Sequence, residues 1–158
     1  MRARTNMQSH KKQVGTTLLE LLIAVSILTI LVSTALPVAR YTIVRQKETE
    51  LRRSLREMRT AIDRYKDTAD RGVIRVEIGS EGYPPDLNTL VNGVAVGANS
   101  RVRFLRRISL DPMTGRRDWG LRAVQDDPDS TSWGGGNVFD VYSKSQATAL
   151  DGTRYSEW

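Results

Sequence analysis

Residues 15–39 read GTTLLELLIAVSILTILVSTALPVA, and one side chain breaks the chemistry of the stretch. From Leu21 to Ala39 no residue is charged. About 19 residues at about 1.5 Å each extend roughly 29 Å along a helix, close to the hydrocarbon thickness of a bilayer. The run therefore reads as a membrane span. Glu20 stands at its front, where an ionised carboxylate must be kept out of hydrocarbon or given a partner.

The flanks set the orientation. Residues 1–15, MRARTNMQSHKKQVG, hold Arg2, Arg4, Lys11 and Lys12 and no acid. In a secretory signal, cleavage follows a short apolar stretch at small residues; here a polar, basic leader ends in Gly15 directly before an apolar segment long enough to span. Positive charge ahead of a first span holds that end in the cytoplasm and sends the rest across the membrane. The same four residues supply four of the six net positive charges, leaving +2 without the leader, so nucleic acid is not an expected partner.

Inventory removes most chemistry. The 158 residues suffice for one modest domain plus an appendage, and contain no cysteine. The single histidine, His10, lies in the leader. A chain starting after Gly15 has no Ser-His-Asp or Cys-His machinery, no disulfide and few ligands for transition metals, so no enzyme is expected.

Beyond Arg40 the composition turns charged while a helical stripe persists: Val44, Leu51, Leu55, Met58, Ile62 and Tyr65, at steps of three and four, with Glu48 the one polar member. One helix is expected from about Thr17 to about Asp70, loosened near Pro37, where proline removes a backbone donor. Gly72 ends it. Its stripe is expected to pack on the chain's own sheet, and its many arginines to form a solvated face.

The carboxyl half reads as short elements. VIRVEI (73–78) is a weak strand or irregular edge, and Asp86 caps a short helical turn after Pro84 and Pro85. VNGVAVGANS (91–100) has the composition of a loop. WGLRAV (119–124) and VFDVYS (138–143) read as strands of an antiparallel sheet, and ALDGTRYSEW (149–158) as a tail folded onto it. Asp111-Pro112 and Thr114-Gly115 signal turns. Asp126, Asp127 and Asp129 cluster without EF-hand spacing and read as a solvated loop. The glycines 134–136 lack the lysine of a phosphate-binding loop, and Trp119, Trp133 and Trp158 read as packing residues. The fold class is therefore α+β: a long N-terminal helix, membrane span plus amphipathic stem, packed on a small antiparallel β-sheet domain with a loop-rich C-terminus. Its segments are 1–15, 16–39, 40–71 and 72–158.

The stretch KKQVGTTLLELLIAVSILTILVSTALP resembles the class III leader and first helix of type IV pilins and type II secretion pseudopilins. GYPPDLNTL, LDPMTGRRDWG and VFDVYSKSQATALDGTRYSEW are similar to parts of the major pseudopilins, so the likeness covers nearly the whole chain. It implies cleavage between Gly15 and Thr16 by a prepilin peptidase and N-methylation of Thr16, where the family usually has phenylalanine. It implies that Glu20 pairs with the new amino terminus of a neighbouring subunit during assembly, and that the helix unwinds at Pro37 inside the filament. It further implies an inner-membrane subunit with a periplasmic head, a homopolymer, an inner-membrane assembly platform driven by an ATPase, minor pseudopilins as companions, and the lipid bilayer as surroundings. No cofactor is required. Major pseudopilins bind calcium in the carboxyl-terminal loop, for which Asp140, Asp151 and Glu157 are the acids on offer, and that reading stays open here. Two alternatives also stay open: a pilin of a surface filament, and a single-pass anchored sensor or binding protein that never polymerises.

Overall fold

The structure is a computed structural model that describes residues 17–97 and 100–158, without the side chains of residues 36 and 37. Gly15 and Thr16, the expected processing site, lie outside the described residues. One helix, α1, runs from Thr17 to Asp70 over 54 residues. The backbone stays helical through positions 36 and 37, so the loosening expected near Pro37 is not a break. The chain divides into two compact units, residues 1–42 and 43–158, with the boundary inside α1.

In the first unit every described side chain from Thr17 to Ala35 is exposed. This part of α1 is long and apolar enough to cross a membrane. Its hydroxyls are spent on the helix itself: Ser26 donates to the Leu22 carbonyl at 2.7 Å, Thr29 to Val25 at 2.8 Å and Ser33 to Thr29 at 2.7 Å. Such back-bonding lets hydroxyl residues sit on an apolar helix without a partner elsewhere.

The second unit is built on the other part of α1. Leu51, Leu55, Met58, Ile62 and Tyr65 of the predicted stripe are buried together with Ala61, while Val44 at its start is half-buried. They meet Leu87, Leu90, Leu105, Trp119, Val138 and Val141 in one core. Burying each large side chain contributes about 1.5–3 kcal/mol, so this face of α1 supplies a major share of the stabilisation.

Around the stem the remaining elements are short. Helix α2 (Leu87–Asn92) begins at Asp86, whose carboxylate accepts from the Thr89 amide, as its sequence predicts. Strands β1 (Val94–Val96) and β2 (Ser100–Val102) form an antiparallel hairpin where the sequence reads as a loop. Glycine content masked the Val-Ala-Val alternation there. Strands β3 (Gly120–Arg122) and β4 (Asp140–Tyr142) pair antiparallel as expected, with Arg122 opposite Asp140. The sheet is thus two separate two-stranded ladders. Residues 73–78 are irregular. The tail ends in a 3-10 turn, Tyr155–Glu157, and Thr148 bridges Arg154.

Gly120 marks where the β3–β4 ladder is tightest, because a β-carbon there would enter the ring of Tyr142. Gly120→Ala is expected to destabilise the full chain by about 1–3 kcal/mol, through overpacking. Adding Tyr142→Ala should remove that increment. Chaotrope unfolding in detergent, followed by near-UV circular dichroism, measures both.

Candidate functional site

Glu20 occupies the first turn of α1, where a carboxylate favours the positive end of the helix dipole. It borders shallow exposed grooves lined by Leu19, Ile23, Ala24 and Ile27 on one side and by Thr17 and Leu21 on the other. Among the described residues it has no ion pair. The next charged residue along α1 is Arg40, about 30 Å away at the helical rise. The hydroxyls of the span are satisfied internally; the carboxylate is not. In hydrocarbon that difference is worth several kcal/mol and favours a cation from outside the span.

The second cluster lies in the other unit, where the tail meets the stem. Glu48, the one polar position in the apolar stripe, accepts at Oε1 from the Leu150 amide at 2.7 Å and from the Tyr155 hydroxyl at 3.0 Å. One turn on, Arg52 reaches Asp151 at 3.3 Å and lies over the Trp158 ring at 4.1 Å. Arg59 forks onto Asp140, Nε to Oδ1 at 2.6 Å and a terminal nitrogen to Oδ2 at 3.2 Å. It also donates to the backbone oxygens of Val141 and Trp158. Arg122, nearly buried, lies 3.6 Å from the same carboxylate and donates to Ser130 and Ser156 carbonyls. Asp140 is thereby held between two guanidinium groups, a charge-assisted arrangement that fastens stem, sheet and tail.

These partners bear on the calcium reading of Asp140, Asp151 and Glu157. Calcium takes about 6–8 oxygen ligands and needs the carboxylates to converge. Asp140 instead faces Arg59 and Arg122. Asp151 accepts from the Thr153 hydroxyl and then its amide, which hold its carboxyl below the usual carboxylate range with Arg52 as a lesser cause. Glu157 accepts from the Arg154 amide at 3.4 Å. Among the described residues no three or more such side chains gather to hold a metal ion. The three acids do not fit a calcium cage; arginines and backbone amides take the place a cation would fill.

Two further acids differ from their sequence reading. Asp126 is not merely solvated: it accepts from the Ala123 amide at 2.7 Å and the Gly134 amide at 3.0 Å, which lower its pKa. Asp127 and Asp129 are exposed as expected. Asp111, read only as a turn residue, is fully buried and accepts from the Met113 amide at 2.8 Å and the Ser143 hydroxyl at 2.7 Å. Its signal was the turn motif alone, which says nothing of Ser143. Glu48 did carry a signal, since a lone carboxylate in an apolar stripe needs a partner.

Comparison with protein-family models, with curated proteins and with solved structures finds no match for this chain.

The fastening generates two expectations. Asp140→Asn, which leaves both guanidinium groups short of an anion, is expected to cost about 2 kcal/mol, while calcium and EDTA leave the wild-type melting curve unchanged. Thermal melts of the full chain in detergent test both. Burial, then the hydrogen bond to Glu48, pushes Tyr155 up to about 12 from 10.0. The folded state thus holds that proton more tightly, so its contribution is complete below pH 10.0 and is lost as pH rises through about 12. Tyr155→Phe is expected to flatten that part of the alkaline decline in melting temperature.

Proposed function

We propose that this chain is a structural, non-catalytic subunit of the type II secretion pseudopilus, a major pseudopilin. It waits in the inner membrane on α1, with its second unit in the periplasm, and polymerises after removal of residues 1–15. The observation that carries this reading is Glu20: one carboxylate on an exposed apolar helix, without a partner among the described residues and five positions after Gly15. Cleavage between Gly15 and Thr16 creates an ammonium group, and the carboxylate of one subunit neutralises the amine of the next, removing two charges from an apolar setting at once. The resemblance of the leader and of the carboxyl half supports the same assignment, including the prepilin peptidase, the assembly platform and the minor pseudopilins as partners. Extension of the filament would then push folded cargo through an outer-membrane channel.

The decisive measurement is the intact mass of membrane-extracted protein produced with and without the peptidase. A species beginning at Thr16, with or without one added methyl group, is expected only with the peptidase. An uncleaved chain at full abundance overturns the proposal. Glu20→Gln is expected to be processed and inserted normally yet to form no filaments under overproduction; unchanged filament yield supports the anchored sensor instead.

A further inference from the structure

Six arginines lie between residues 101 and 117: Arg101, Arg103, Arg106, Arg107, Arg116 and Arg117. All six are exposed, and among the described residues none is ion-paired. The one acid of the segment, Asp111, is buried and turned to Met113 and Ser143. The segment therefore carries +5, while the rest of residues 43–158, with 13 basic and 16 acidic side chains, carries −3. Such concentration of like charge opposes folding and calls for an anionic partner.

The backbone beneath the arginines is fixed. The amides of Phe104 and Leu105 both donate to the Leu90 carbonyl at 3.0 Å, and Trp119 Nε1 donates to the Ser109 carbonyl at 2.9 Å. The Asp111 amide donates to the Arg116 carbonyl across the turn at 2.8 Å. The aromatic rings that would stack on nucleic-acid bases are committed elsewhere, Phe104 edge-on to Tyr65 at 5.3 Å and Trp119 in the core. What accompanies the arginines at the surface is aliphatic, Val102 and Leu110. Arginine with exposed aliphatic carbon is the composition of a protein contact.

A counterpart lies on the same unit. In the irregular segment 73–81, Val73, Val76 and Ile78 are exposed, Ile78 completely, and the segment carries Glu77 and Glu81 towards its end against one base, Arg75. Both surfaces belong to the second unit, and Phe104, within the arginine segment, packs edge-on against Tyr65 of the stem at 5.3 Å. Each subunit thus shows a strongly basic apolar patch and a second apolar patch with two glutamates and a net charge of −1.

We propose that the Arg101–Arg117 loop docks on the Val73–Glu81 segment of a second copy of this chain, guanidinium forks meeting the glutamates around an aliphatic centre. The inference rests on the polymer reading and names a head-to-head contact within it. Because the chain contains no cysteine, Leu110→Cys and Ile78→Cys can be placed on two differently tagged full-length copies and joined by a short bismaleimide in membranes. The mixed adduct is expected to exceed both like-with-like adducts several-fold. Arg106→Glu/Arg107→Glu should reduce it to background, and Glu77→Arg/Glu81→Arg on the partner copy should restore it. A mixed adduct no stronger than the like-with-like ones, or unchanged by charge reversal, overturns the proposal. So does nuclease-sensitive nucleic acid that copurifies with the wild type and is lost on reversal. The adduct is read in membranes with or without filaments, so a chain that is never cleaved and a loop that never docks give different results.

Discussion

Strands of three residues cannot enclose a core, and among the described residues the second unit has four of them in two separate ladders. What makes it fold is the apolar face of α1 from Leu51 to Tyr65, against which both the α2 region and the β3–β4 ladder close. Helical periodicity places six side chains on one line, and the loops need only reach that line. Leu105, Trp119 and Ile74 do so from connections with little regular structure of their own. The helix is therefore the scaffold, and the loop-rich head is stable because its hydrophobic anchors share one straight partner.

The polar residues of the stem add direction to that packing. Apolar contact alone would let the tail slide along the helix, whereas Glu48, Arg52 and Arg59 each meet a defined group: a backbone amide and hydroxyl, the Asp151 carboxylate, and the Asp140 carboxylate with two backbone oxygens. Directional bonds of this kind fix register where hydrophobic area does not. The two arginines also meet acids of the carboxyl half, Arg52 at Asp151 and Arg59 at Asp140.

Helical features were legible because periodicity is local. The span of α1, its end at Asp70 and the buried stripe all follow from spacing in the chain, as does the cap at Asp86. Glu20 stood out because a charge among aliphatic neighbours is visible without a structure. Pairings across long separations were not legible: nothing in the sequence joins Arg59 to Asp140, 81 positions away, or Asp111 to Ser143. The β1–β2 hairpin was hidden by the glycine and alanine around its three-residue strands.

The inward-bonded hydroxyls of Ser26, Thr29 and Ser33 leave the described outer surface of the span, past Glu20, almost wholly hydrocarbon. Such a cylinder can turn about its own axis among lipid chains with little energetic preference for any azimuth. Only the acid near its start distinguishes one angle from another. Under the proposed pairing, recognition between two such cylinders would reduce to a search over one rotation and one offset, both set by a single electrostatic match.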